Sequence, residues 1–191
     1  MKVIKQILNL MLAGAAISLG AYMSLQYPGP LGAVLFSIGL MSVCTFSFVL
    51  YTGAIRRTKE FSDVLLLLII LIGNIIGCIL MSFWASFNPD IISSCQSIVE
   101  QRTDWGFLEC MARGAGCGYI MTLAVSTWKK TPWPLLIGIP AFVLCGFTHS
   151  VADAFYYSVG WEALSWSAAL AYAGTVVGNF IGGIIYKIGR P

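Results

Sequence analysis

The chain has 191 residues, of which 58% are hydrophobic and only 10% are charged, and its mean hydropathy is +0.84. A typical globular domain carries charge on about a quarter of its residues. So much apolar surface could not be left in water, which excludes a soluble enzyme, a nucleic-acid-binding protein and a disordered tail. The composition therefore predicts a membrane protein whose first partner is the lipid bilayer, with no nucleic acid among its ligands.

Uncharged stretches divide the chain into candidate membrane spans. No charged residue occurs from residue 6 to residue 55, which leaves room for two spans of about 20 residues each and a short turn. We expect the first apolar run to be a retained span rather than a signal peptide, because it is long and no cleavage site follows it. The pattern predicts six helices, at 7–25, 31–55, 64–84, 106–128, 133–158 and 168–188.

Basic residues fall on one side of this arrangement. Only Arg102 lies in a predicted loop on the other side, and Arg113 lies inside a span. Because short cytoplasmic loops carry the excess of Lys and Arg, both termini are predicted to be cytoplasmic. The residues on the cytoplasmic side are Lys2, Lys5, Arg56, Arg57, Lys59, Lys129, Lys130, Lys187 and Arg190.

A short motif recurs at a spacing of about 105 residues. The sequence Gly-Asn-Ile-Ile-Gly at 73–77 returns as Gly-Asn-Phe-Ile-Gly at 178–182. An odd number of spans per repeat implies two halves of opposite topology, which in transporters places the substrate path at their interface. The alternative is that glycine spacing simply recurs in packed helices. We predict one transmembrane domain over 1–191, an inverted repeat of three plus three spans with halves of about 1–90 and 105–191.

Four ionisable residues remain at membrane depth, namely Glu109, Arg113, His149 and Asp153. A charge there is costly unless it has a partner or a water-filled path. Glu109 and Arg113 are four residues apart on one helix, so a self-satisfied ion pair is favoured over a transport role. His149 follows a glycine-containing stretch that can open a helix, and its imidazole can exchange protons near neutral pH. Asp153 is expected to orient or electrostatically satisfy His149.

The sequence Leu-Tyr-Thr-Gly at 50–53 ends the second predicted span. It suits a non-helical loop that lines a cavity, or equally a simple helix end before the basic residues that follow. Elsewhere, one histidine and scattered cysteines supply neither a metal-ligand cluster nor a nucleophile with a base. We therefore predict no enzyme activity, no cofactor and no metal, and we expect the cysteines to be packing residues rather than disulfides.

Three segments resemble the formate/nitrite transporter family. Residues 36–40 with 50–53 are similar to its second span, which ends in a loop close to Leu-Phe-Thr-Gly. Residues 146–153, Gly-Phe-Thr-His-Ser-Val-Ala-Asp, resemble its Gly-Phe-Glu-His-Ser-x-Ala-Asn in a broken fifth span. Residues 178–183 resemble its Gly-Asn-x-x-Gly-Gly in the last span. The order and spacing hold across nearly the whole chain.

The resemblance implies an all-α, aquaporin-like fold of six spans with broken second and fifth helices, assembled as a homopentamer with one pore per subunit. It implies apolar constrictions at Phe36, Leu40 and Phe142. Thr52 and His149 would face each other between them, with Leu50 and Tyr51 beside Thr52. Arg102 would match a family lysine that attracts anions to the outer mouth.

The expected function is a bacterial inner-membrane channel for small monovalent weak-acid anions such as formate, nitrite or hydrosulfide, linked to protons through His149. The alternative is an aquaporin-like channel for a small neutral solute. Three positions depart from the family pattern: Asp153 replaces Asn, Thr148 replaces the usual Glu, and Gly118 replaces the usual Asn of the fourth span. These changes alter the electrostatics around His149 and bear on substrate more than on fold.

Overall fold

The computed structural model describes residues 2–189, and its regular structure over those residues is helical. In chain order the α-helices are α1 (Lys2–Gln26), α2 (Pro30–Phe46), α3 (Tyr51–Ala54), α4 (Phe61–Ala85), α5 (Pro89–Thr127), α6 (Trp133–Leu144), α7 (Ser150–Val159) and α8 (Trp166–Ile188). Two 3₁₀ turns, Ile55–Arg57 and Trp161–Ala163, follow α3 and α7. Arg190, counted above among the basic residues, lies outside the described residues.

Three helices are long and apolar enough to cross a bilayer without interruption. They are Val3–Gln26 within α1, Ser62–Ala85 within α4 and Trp166–Ile188 within α8. Each coincides with a predicted span. Large apolar side chains such as Leu80, Phe83 and Trp166 point outward and are more than half exposed, which is how a helix meets lipid rather than water. The chain is a membrane protein.

The second and fifth predicted spans are broken. Helix α2 ends at Phe46 and α3 begins at Tyr51, while α6 ends at Leu144 and α7 begins at Ser150. The predicted spans 31–55 and 133–158 therefore each contain a non-helical segment of a few residues, as the family resemblance implied for the second and fifth helices. In the second span the helix end predicted at residues 50–53 is wrong, and the predicted non-helical loop lies earlier, at residues 47–50, because α2 ends at Phe46 and Tyr51 starts a new short helix.

Helix α5 differs most from expectation. It runs for 39 residues, with non-helical torsions at Gly106 (φ 65°), so that residues 107–127 match the predicted fourth span and residues 89–105 form a helix where a loop was expected. Asn88 caps this helix by accepting a hydrogen bond from the Asp90 N–H at 3.1 Å. The placement of Arg102 in an exposed outer loop is therefore wrong: it lies on this helix and is 7% exposed.

Close helix contacts in both halves of the chain depend on glycine. A Cβ on Gly118 of α5 would collide with the backbone carbonyl of Asn179 on α8, and a Cβ on Gly14 of α1 would collide with that of Asn74 on α4. Helices that approach this closely exclude any larger residue at the contact. The departure of Gly118 from the family asparagine thus has a packing reason in this chain.

Candidate functional site

The first break lies between α2 and α3. Ser47 adopts a left-handed conformation (φ 57°), and the Phe48 N–H donates back to the Val43 carbonyl at 2.9 Å. Asn74 of α4 holds the far side of the break, because its Oδ1 accepts from the Tyr51 N–H at 2.9 Å and its Nδ2 donates to the Val49 carbonyl at 3.0 Å. The same Nδ2 donates to the Leu10 carbonyl of α1 at 2.8 Å.

The second break lies between α6 and α7 and has the same construction. Gly146 is left-handed (φ 66°), and the Phe147 N–H donates back to the Phe142 carbonyl at 3.1 Å. Asn179 of α8 accepts from the Ser150 N–H at 2.8 Å and donates to the Thr148 carbonyl at 2.9 Å. Its Nδ2 also donates to the Gly114 carbonyl of α5 at 2.9 Å.

Each asparagine thus satisfies the backbone groups that a broken helix leaves without partners. Within apolar surroundings an unpaired N–H or carbonyl costs several kcal/mol, so non-helical backbone at membrane depth needs such partners. Both side chains are fully buried. The repeated Gly-Asn motif was recognised in the sequence as a repeat, but no sequence signal indicated that its two amides hold the two breaks.

His149 and Thr52 meet between the two breaks. The His149 Nε2 lies 3.2 Å from the Thr52 Oγ1, and His149 Nδ1 accepts from the Ala152 N–H at 3.1 Å. Because Nδ1 is occupied as an acceptor, the neutral ring carries its proton on Nε2 and donates it to Thr52. His149 is 1% exposed and Thr52 is fully buried. The structure therefore brings together the two polar residues that the sequence placed in one chamber.

Apolar side chains surround this polar pair. Phe36 and Phe142 contact each other edge to face, with ring centroids 5.5 Å apart, and the Phe142 ring centroid lies 6.2 Å from that of His149. Leu40 and Leu50 are buried in the same core. The predicted constriction residues are thus buried, and one of them, Phe142, packs beside the histidine.

Tyr51 and Asp153 are engaged elsewhere. The Tyr51 hydroxyl donates to the Val176 carbonyl of α8 at 3.2 Å, which ties α3 to the other half of the chain. The Asp153 Oδ2 lies 3.6 Å from the Arg102 Nε and accepts from the Thr175 hydroxyl at 3.3 Å. The structure therefore pairs the Asp153 carboxylate with Arg102 and Thr175, and not with His149 as the sequence spacing suggested.

Glu109 and Arg113 form the ion pair expected from their spacing, at 2.7 Å. Arg113 also lies over the Trp105 ring, 3.9 Å from its centroid, and Arg102 lies 4.6 Å from the same centroid. The Arg113 Nη1 donates to the Gly146 carbonyl at 3.4 Å. Two cations thus approach one indole ring next to the second break, a grouping that the sequence did not reveal.

Metal chemistry has no candidate in the part of the chain that the structure describes, since residues 2–189 contain no group of three or more His, Cys, Asp or Glu placed to hold an ion. The six cysteines are free thiols. Among the site residues only His149 and Thr52 combine full burial, a polar group and a position between the breaks. They are the residues around which the chemistry of the site can be argued.

Comparison with known proteins identifies the architecture. The sequence matches the family described as formate/nitrite transporter over residues 1–189. The fold is similar to a pentameric formate channel with formate bound (TM-score 0.83, 18% identity, covering 95% of this chain and 93% of that one). It is also similar to an ion channel of the same family (TM-score 0.78, 19% identity, covering 98% and 91%).

A comparison with curated protein sequences gives no match. The family and the two structural neighbours are transporters and channels, not enzymes. The match to the family extends over nearly the whole length, so it includes both broken helices and both asparagines that hold them. The chain belongs to the formate/nitrite transporter family.

Proposed function

We propose that this chain is a channel for small monovalent weak-acid anions of the formate, nitrite or hydrosulfide class, and that permeation is linked to protons through His149. The observation that carries the proposal is the contact between the His149 Nε2 and the Thr52 hydroxyl, at 3.2 Å, enclosed by apolar side chains between two broken helices. A single polar pair in an apolar path offers a small solute one place to exchange hydrogen bonds.

The apolar residues on this path discriminate between charged and neutral species. Phe36, Leu40 and Phe142 are each at most 3% exposed and offer no hydrogen bond to a dehydrated anion. A bare anion meets a steep desolvation barrier there, whereas its protonated acid does not. A weak acid therefore crosses most easily as a neutral molecule.

His149 supplies the proton exchange that this route requires. The neutral ring takes up a proton on Nδ1, its one free lone pair, which displaces the hydrogen bond from the Ala152 N–H at 3.1 Å. The Nε2 proton then passes to the anion and the neutral acid leaves. The ring, now neutral with its proton on Nδ1, returns to its resting tautomer by proton exchange with solvent. Thr52 positions the ring, and its hydroxyl offers the solute a second hydrogen-bond contact besides the His149 ring.

The membrane arrangement follows from the matched halves. The proposed six spans are α1, α2 with α3, α4, residues 107–127 of α5, α6 with α7, and α8. Asn74 and Asn179 make equivalent bonds in the two halves, which supports an inverted repeat of three plus three spans in one aquaporin-like domain. The basic residues favour a cytoplasmic side for both termini, and a bacterial inner membrane is proposed from the family resemblance.

Assembly is proposed by analogy with the structural neighbour, which is described as a pentameric formate channel. We propose a homopentamer with one pore in each subunit. The outward apolar side chains of a single chain are consistent with both lipid and subunit contacts. A native mass spectrum dominated by monomer or dimer would contradict this part of the proposal.

A second candidate, a channel for a small neutral solute, is favoured by one observation. Arg102 is paired with Asp153, and Arg113 with Glu109, so the charges near the second break cancel in pairs. A path without net charge suits an uncharged solute as well as a protonated acid.

Liposomes reconstituted with the purified protein separate the two candidates. Influx of formate, nitrite and hydrosulfide would be followed with an internal pH dye, and influx of glycerol and water by light scattering, against protein-free liposomes. We expect saturable influx of at least one of the acids, faster when the outside is more acidic. Glycerol or water flux without any acid influx would contradict the anion function and favour the neutral-solute channel.

A further inference from the structure

A buried ion pair lies one helical turn beyond His149. We propose that Asp153 is a specificity-determining residue: by cancelling the charge of Arg102 it leaves the chamber around His149 without net fixed charge, so that the pore admits anions without concentrating them. This inference rests on the proposed function and deepens it, because it concerns which charge state of the substrate the chamber favours.

Both members of the pair are enclosed by protein. The Asp153 side chain is 2% exposed and that of Arg102 is 8% exposed, with the Arg102 Nε 3.6 Å from the Asp153 Oδ2. This distance is longer than a hydrogen bond, so the contact is an electrostatic pairing. Thr175 donates to the same Oδ2 at 3.3 Å. Charges held in such surroundings are less screened by solvent than exposed charges, whereas the field that an unpaired one projects to the aqueous entrance of the pore is screened by salt.

The position of the pair connects it to the proposed pore. Asp153 is four residues after His149, on the same side of the helix, and about 6 Å further along its axis. The Arg102 guanidinium is held in place by the Gln101 side chain, to which it donates at 3.1 Å, and by the Trp105 ring 4.6 Å away. Arg102 cannot turn away from Asp153 without losing these contacts, and Asp153 cannot turn away without losing its bond from Thr175.

The remaining charges near the second break also cancel. Glu109 accepts two hydrogen bonds from Arg113, at 2.9 and 2.7 Å, and Arg113 reaches the Gly146 carbonyl. Thr148, directly before His149, is uncharged and donates to the Cys110 carbonyl at 3.0 Å. With Arg102 and Asp153 included, the charged groups described here sum to zero. Arg102 is therefore not an unpaired cation that draws anions to a mouth.

Removing one partner exposes the charge of the other to the permeating species. At a separation near 10 Å and an effective dielectric constant of about 20, a unit charge changes the occupancy of an anion by roughly tenfold. An uncompensated Arg102 would concentrate anions and an uncompensated Asp153 would exclude them. The two single substitutions are thus predicted to act in opposite directions, which a purely structural pair would not produce.

The test is the KM for formate influx into liposomes at low ionic strength. We expect Asp153→Asn to lower KM by about tenfold and Arg102→Gln to raise it by about tenfold. The double variant should return to within about threefold of the unsubstituted chain. Asn at 153 retains an oxygen to accept from Thr175. Glu162→Gln is the matched control: this exposed carboxylate lies in the 3₁₀ turn after α7 and contacts Gln96 at 3.0 Å, and its loss should leave KM unchanged.

A second measurement needs no substitution, and it holds even where a single variant does not fold. In the unsubstituted protein, raising the ionic strength from about 20 to 200 mM should change the formate KM by less than twofold, because a chamber with no net charge has little field to screen. A free cation would instead make KM rise severalfold over the same range.

The outcomes separate this inference from the proposed function. A formate KM that rises more than threefold with salt, or single variants that shift KM in the same direction, would overturn the inference while leaving the channel function intact. An unsubstituted protein that carries no acid of the panel would overturn the proposed function, and this inference with it.

Discussion

The two broken spans share the same backbone contacts but differ in the side chain that stands at the end of the break. In each, a left-handed residue follows the first helix, and the N–H of the next residue donates to a carbonyl five residues earlier. An asparagine from a later helix then bonds to backbone groups of the gap and of the helix that follows it. The residue directly before the helix that resumes each span is Leu50 before α3 and His149 before α7. The equivalent contacts thus form the framework, and the position where the halves differ carries the titratable ring.

Substitutions in the shared contacts should therefore change the stability of the protein, whereas substitutions at Thr52 and His149 should change influx. Substitutions at equivalent framework positions should have equal effects in the two halves. Substitutions at Thr52 and His149 should have unequal effects, because these two side chains come from non-equivalent positions of the breaks. The variants below test those two statements.

The largest effect is expected from filling the close helix contacts. Gly118→Ala and Gly14→Ala each place a Cβ against an asparagine carbonyl, which neither backbone can avoid without moving a helix. Both variants should yield no folded protein by size-exclusion chromatography in detergent. Gly189→Ala, where the nearest atom is 3.5 Å from the added Cβ, is the control and should fold normally. A folded Gly118→Ala would show that α5 and α8 can separate.

Removal of the asparagine amides should be next in size. Asn74→Ala and Asn179→Ala each leave one N–H and two carbonyls without their partners, a loss of about 3 kcal/mol or more in the free energy of unfolding. Thermal unfolding in detergent should give similar losses for the two. Asn88→Ala, at the partly exposed start of α5, should cost only about 1 kcal/mol. A large inequality between Asn74→Ala and Asn179→Ala would contradict the equivalence of the breaks.

The pore residues are expected to differ from each other. His149→Asn keeps an oxygen that can accept from the Ala152 N–H at the start of α7 but cannot titrate, so acid-stimulated influx should fall at least tenfold, a change of about 1.4 kcal/mol in barrier. Thr52→Val removes only a hydroxyl and should slow influx about threefold with its pH dependence intact. His149→Phe tests the same point with a ring. Influx by His149→Asn at the original rate and pH dependence would refute the proton linkage.

The smallest effect concerns the left-handed residues themselves. Ser47 adopts φ 57° with a side chain, whereas its counterpart Gly146 adopts φ 66° without one. Ser47→Gly should therefore raise the free energy of unfolding by up to about 1 kcal/mol, and Gly146→Ala should lower it by about 1 to 2 kcal/mol. Thermal unfolding would check both signs. A stabilising Gly146→Ala would show that this torsion is not required.

Sequence reasoning predicted most of the helices because hydropathy and turn residues report directly on spans that face lipid. It failed at residues 89–105, where charged residues among the apolar ones gave the appearance of a loop. The signals of a helix were nevertheless present: an Asn-Pro-Asp start, and Ile91, Cys95 and Val99 at four-residue spacing, all buried. The charged residues led to the prediction of a loop in spite of the helical spacing of the apolar residues. The burial of Arg102 on a helix was therefore not predicted.

The polar residues of the candidate site and the contact between His149 and Thr52 were expected beforehand, whereas the partner of Asp153 was not. His149 and Thr52 were placed together through family resemblance, since they are far apart in sequence. The partner of Asp153 could not be found from spacing, because an i, i+4 pattern suggests His149, whereas the carboxylate turns toward Arg102 on another helix. Contacts between different helices depend on the three-dimensional packing, which periodicity within one helix does not encode.

The start of α7 bears on how long a solute stays in the proposed pore. A helix N-terminus with free N–H groups is a natural anion-binding site. Here the Ser150 N–H is bonded to Asn179 and the Ala152 N–H to the His149 ring, so an arriving anion finds much of this backbone already occupied. In the proposed channel we therefore expect its hydrogen bonds to come mainly from the His149 and Thr52 side chains and its dwell time to be short, as rapid conduction requires.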